Sequence, residues 1–173
     1  MRRFWALLAV AFGGALLAPI ATADRPVVVS GGGTGTFAAD LDGDGDIDGS
    51  HFGFGATFAA GSMRGHFECQ MAGNTDILGL PLMAVEGRVA GGWASPGTGT
   101  ALFTGRATVN LANGIAFRNV PYEVRLVAGG PGTGQLRLTV IGAFDGVPGD
   151  TVLGNGNYDL PVETVATGQI KIH

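Results

Sequence analysis

Cysteine is nearly absent from this 173-residue chain, where Cys69 stands alone. A single cysteine cannot close an intrachain disulfide, so the fold must be held by its core or by a bound ion. Basic clusters are missing too, which removes the electrostatic footprint of a nucleic-acid binder. Beyond the N-terminus no segment reads as a helix, because glycine, with 32 residues, recurs too often to sustain one. The run Gly31-Gly32-Gly33-Thr34-Gly35-Thr36 has no lysine and leads into no helix, so it is not a phosphate loop. Past the leader the serines are few, and Gly61-Ser62-Met63-Arg64-Gly65 is not the Gly-x-Ser-x-Gly elbow of a hydrolase. Outside one acidic loop the carboxylates are scattered, and no pair can be named for glycoside hydrolysis. The expectation is a protein without catalytic machinery.

The N-terminus is a leader. Arg2 and Arg3 precede an apolar run from Phe4 to Ala18, and Ala21-Thr22-Ala23 gives a small-x-small cleavage pattern. The run is short and no basic stop-transfer flank follows, so residues 1–23 read as a signal peptide and not as a membrane anchor. Cleavage leaves residues 24–173, a length suited to one domain with its own core. The expected location is secreted, extracellular or cell-surface, with the periplasm as another compartment, and no membrane span after cleavage.

The mature part carries all 14 acidic residues, whereas two of the 10 basic ones, Arg2 and Arg3, leave with the leader. Five of the acids fall in one stretch, Asp40-Leu41-Asp42-Gly43-Asp44-Gly45-Asp46-Ile47-Asp48-Gly49. The rest of the domain is close to neutral, so the acidity marks a site and not a global field.

Elsewhere the pattern is one of short strands. Val27-Val28-Val29 starts a strand that runs into a glycine-rich turn at Gly31-Gly32-Gly33. Phe52, Phe54 and Phe58 share one strand face, and Phe67, Cys69 and Met71 share another. Leu82 to Trp93 alternates, with Val85, Gly87 and Val89 against Glu86 and Arg88. Asn113-Gly114 signals a turn between Ala101–Leu111 and Ile115–Phe117. Tyr122–Leu126 and Leu136–Val140 alternate, and the chain closes with Val162–Val165 and Gln169–His173. The prediction is an all-β, single-domain antiparallel meander of about nine strands, closed as a barrel, with a two-sheet sandwich as the alternative. Open edges on so glycine-rich a sheet would invite aggregation, which favours closure.

These features, in this order, resemble the post-COAP domain, a β-rich module of exported and cell-surface bacterial proteins with no assigned biochemical role. The shared features are Gly31-Gly32-Gly33, then Phe52-Gly53-Phe54 and Gly65-His66-Phe67-Glu68. Phe103-Thr104-Gly105, the turn Asp145-Gly146-Val147-Pro148-Gly149-Asp150-Thr151 and the ending Gly168-Gln169-Ile170-Lys171-Ile172-His173 follow. The resemblance implies an exported β-domain and brings no catalytic residues. The acidic loop between the glycine run and Phe52 departs from the family pattern, so calcium is not implied by it.

Calcium is implied by the loop itself. The ion takes six to eight oxygens and favours alternating aspartates around a glycine. Asp40, Asp42 and Asp44 fit loop positions 1, 3 and 5 of a calcium loop, with Gly45 at position 6, Asp46 at 7 and Asp48 at 9. Position 12 is His51 instead of a bidentate glutamate, and no helices flank the loop. Asp46, or a carboxylate from elsewhere such as Glu68, would have to complete the shell. A solvated acidic loop is the competing reading.

His51, His66 and His173 show no metal-ligand spacing and read as separate histidines. Trp93, Tyr122 and Tyr158 could stack sugars, against the plainer reading in which Trp93 packs at a strand end and the tyrosines close the core. Cys69 reads as a small buried thiol. The leading expectation is a non-catalytic exported β-domain with a structural or interaction role outside the cell, partnered by a cell-surface protein or glycan. A calcium-assisted carbohydrate-binding module comes second, and a small barrel enzyme using the histidines third.

Overall fold

The computed structural model describes residues 25–40, 49–71, 83–111 and 114–173. They form nine strands: β1 Val27–Thr36, β2 Gly49–Ala59, β3 Ser62–Met71, β4 Met83–Ser95, β5 Thr100–Leu111, β6 Ala116–Val127, β7 Gln135–Val140, β8 Tyr158–Asp159 and β9 Glu163–Ile172. All pair antiparallel in one sheet. β1 to β7 form a meander, β9 returns to pair with both β7 and β1, and the hydrogen-bond ladder thereby closes into a ring. The two-residue β8 extends the edge of β7 beyond the start of β9. Ring closure removes the free edges that a flat glycine-rich sheet would otherwise expose.

Alternation decides what faces inward. Every strand sends apolar side chains to the interior, among them Val29, Phe54, Phe67, Val85, Phe103, Val124, Leu138, Tyr158 and Ile170. Phe54 and Phe103 lie 5.8 Å apart, Phe103 and Phe67 5.7 Å, and Phe67 stacks on Tyr122 at 5.5 Å. These offset and edge-on contacts run through the middle of the fold, as ring quadrupoles favour. The expected faces of Phe52, Phe54 and Phe58, and of Phe67, Cys69 and Met71, are buried together. Both tyrosines are in the core as well.

The outer face carries the charge. Arg64, Glu68, Glu86, Arg88 and Arg106 all point outward from β3, β4 and β5. An apolar interior under a charged exterior is the reverse of what a lipid-facing barrel requires. Among the described residues no helix is long and apolar enough to cross a membrane.

Three local expectations are corrected. Gly31-Gly32-Gly33 is not a turn but the middle of β1, paired on both sides with β2 and β9. A side chain at Gly31 would overlap the Phe54 ring, so this glycine gives the aromatic its place in the core. Two segments expected as separate, Ile115–Phe117 and Tyr122–Leu126, fall from Ala116 onward in one strand, β6, which a register shift opposite Ala107 and Val109 interrupts. The closing segments are likewise one strand, β9, kinked by a shift opposite Thr34 and Gly35.

Candidate functional site

Of the five aspartates expected to hold calcium, Asp40 is described, exposed just past the end of β1. Asp42, Asp44, Asp46 and Asp48 lie outside the described residues, as do residues 1–23, where a leader is expected. Strands flank the loop on both sides, β1 before it and β2 after it, so its setting is the one expected and not that of an EF-hand. Among the described residues no three His, Cys, Asp or Glu side chains group around a common point.

The histidines do not converge. His51 stands opposite Gln70 and His66 opposite Gly55, four positions apart along the outer face of β2. His173 bonds through its backbone to Val28, at the far end of β1.

The register does create a carboxylate pair that the scattered sequence positions conceal. Glu68 of β3 stands directly opposite Glu86 of β4, both exposed. Together with His51 and Gln70 they line an outer cleft of about 510 Å³.

Inside the ring lies a second polar feature. Glu163 opens β9, is only 1 % exposed, and accepts a hydrogen bond from the Ser50 hydroxyl on its Oε2. Its Oε1 has no partner among the described residues. Burial pushes its carboxyl up to about 7, against the Ser50 hydrogen bond, which lowers it. Gly35 makes room for this side chain, since a Cβ there would meet the carboxylate. Cys69 is buried nearby, the small buried thiol that was expected; burial first, then the Glu163 charge, pushes its thiol up.

The most site-like feature of the outer face surrounds Trp93. A register shift in β4 between Val89 and Gly91 reverses the alternation. Val85 and Val89 point inward, whereas Trp93, which the same odd-numbered pattern would also bury, points outward and is 51 % exposed. Trp93 pairs with Leu102 of β5, Leu102 with Arg125 of β6, and Arg125 with Arg137 of β7. The four form a row across four strands. Beside it runs a second row, Ser95, Thr100, Val127 and Gln135. The rows enclose a shallow cleft of about 330 Å³, with Val162 at its far wall.

Arg125 and Arg137 are like charges placed directly opposite each other, a destabilising arrangement unless compensated. Arg125 Nε donates to Glu123 Oε1 at 2.7 Å, and Arg137 Nη2 to Asp159 Oδ1 at 3.2 Å. Both acids line the neighbouring cleft, which the two arginines border as well; on the Trp93 side the arginines are the charged groups.

No protein-family model matches this chain, and neither a curated protein nor a solved structure matches it.

Proposed function

We propose that this protein is a non-catalytic exported β-domain with a structural or interaction role at the cell exterior. One observation carries the reading: apolar side chains from all nine strands fill the interior, and the hydrogen-bonding and charged groups, with few exceptions, face outward. Recognition then falls to the outer face and the loops. The leader residues 1–23 support export. The resemblance to the post-COAP domain belongs to the same reading. Its motifs fall within β1, β2, β3, β5 and β9 and on the turn after β7, where Asp145 and Asp150 organise the backbone.

Calcium is part of the proposal. Asp40, Asp42, Asp44, Asp46 and Asp48 would supply oxygens, and the ion would neutralise them and clip the β1–β2 connection. Millimolar calcium outside cells would fill even a weak site.

Two measurements test this. Expression of the full chain in a bacterium, with mass spectrometry of each fraction, is expected to give a form beginning at Asp24 outside the cytoplasm. An unprocessed cytoplasmic product would refute export. Melting in millimolar calcium is expected to rise over that in chelator, and Asp42→Ala with Asp44→Ala is expected to abolish the rise. Equal melting with and without calcium would remove the ion from the reading.

A further inference from the structure

We infer that the Trp93 face binds an acidic polysaccharide, with Trp93 under a sugar ring and Arg125 and Arg137 holding a carboxylate of the chain. This rests on the reading of the protein as an exterior interaction module and names its ligand class.

Trp93 is the first observation. A large ring left half exposed near the end of β4, beside Leu102, Val127 and Val162, costs solvation and is held there by a bulge instead of being buried by simple alternation. A flat indole presents an apolar, electron-rich face, the complement of the C–H face of a pyranose. Sheet neighbours lie about 4.8 Å apart, so Arg125 stands about 10 Å from Trp93 and Arg137 about 14 Å along one row. Those spacings suit an extended ligand with its ring at one end and a charged substituent further on.

Charge complementarity selects the substituent. The cleft is lined by two cations and no anion; both arginines also border the adjoining cleft, where Arg125 pairs with Glu123 and Arg137 with Asp159, so the ligand carboxylate would share guanidinium groups already ion-paired on one side. Arg125 spends only its Nε on Glu123, and its two terminal nitrogens have no hydrogen-bond partner among the described residues. Arg137 keeps Nη1 in the same condition, while Nε donates to the Leu160 carbonyl. Planar guanidinium forks match carboxylates. Thr100 and Gln135 add groups able to bond hydroxyls. An extended peptide would bind a sheet most readily by strand addition, and that needs an unpaired edge. β4, β5, β6 and β7 are each paired on both sides.

The test titrates the full-chain protein with a galacturonate oligosaccharide, with its methyl ester, and with a poly-glutamate peptide of equal charge. The same titrations are run on Trp93→Ala and Arg125→Gln, with melting to confirm folding. Expected are binding of the uronate, about tenfold loss in Trp93→Ala, a several-fold loss in Arg125→Gln, and weakening by salt and by esterification. Equal binding of acid and ester would overturn the role of the arginines. Poly-glutamate binding as tightly, and unaffected by Trp93→Ala, would replace the glycan with a polyanion surface and overturn the inference. Absence of binding by either oligosaccharide would overturn it too, while export and the calcium response, measured separately, would still decide the broader function.

Discussion

Ser50 and Glu163 lie 113 residues apart in the chain and meet inside the closed sheet, where the serine hydroxyl donates to Glu163 Oε2 at 2.5 Å. The other carboxylate oxygen is buried with no partner among the described residues. An acid held this way favours its protonated form, since burial penalises the charge.

Stability should therefore depend on pH through Glu163. Its carboxyl is raised from 4.5 to about 7 in the folded protein. The folded state thus binds the proton more tightly than the unfolded one. The contribution is complete below the unfolded value of 4.5 and is lost as pH rises to about 7. The span corresponds to about 3 kcal/mol at most. Glu163→Gln is expected to flatten urea-unfolding stability between pH 5 and pH 8, and to be more stable than the parent at pH 8. A Gln variant with the parent's slope would show that another group is responsible.

Tyr122 makes a contrasting case within one side chain. Its ring fills the centre of the core, and its hydroxyl is buried with no hydrogen-bond partner among the described residues. Tyr122→Phe keeps the ring and removes the orphan group, so its denaturation midpoint should equal or exceed the parent's. Gly87→Ala should behave oppositely, because a Cβ there would stand 2.5 Å from Tyr122 Cε1 and 3.0 Å from Ala107 Cβ. Overpacking of this kind costs about 1–3 kcal/mol. A stable Gly87→Ala would mean that the tyrosine has another place to go.

Glu68 and Glu86 repel across β3 and β4. Glu86→Lys converts the pair to opposite charges, with an expected gain of about 0.5 kcal/mol that salt diminishes. Thermal melts at low and high ionic strength provide the check, and a loss of stability in the variant would mean that the outer cleft uses both acids.

The turn after β7 depends on two carboxylates. Asp150 accepts the backbone N–H groups of Gly146, Val152 and Asp159, and Asp145 accepts those of Gly154 and Gly156. Desolvation raises the Asp150 carboxyl, but these donors outweigh it and hold it below the ordinary value. Its contribution is thus present at neutral pH and disappears as pH falls below the ordinary aspartate range. Asp150→Ala should cost about 1 kcal/mol at pH 7 and little in strong acid. Hydrogen exchange at the Gly146 and Val152 amides is the sharper readout, and unchanged protection would contradict the capping role.

The sequence alone determined the class. Alternation, frequent glycine and turn signals are local properties, and they dictate an all-β meander whose Phe52–Phe58 and Phe67–Met71 faces are buried, with Cys69 a buried thiol among them. Its glycines were legible as breaks in a helix but not as sites of close packing. That Gly31 lies within a strand follows from the Phe54 ring packed over it, a residue from a neighbouring strand. Tertiary structure decided ring closure through β9, the meeting of Ser50 with Glu163, and the facing of Glu68 by Glu86, because strand register joins positions far apart in the chain. It also decided Trp93. A strict two-residue period assigns Trp93 to the face of Val85 and Val89, and one bulge, invisible to that period, turns it outward. Trp93 was legible as a side chain able to stack a sugar, but its exposure and its row with Leu102, Arg125 and Arg137 were not: a shift in the hydrogen-bond ladder holds at the surface a side chain suited to the core, and register brings the arginines beside it.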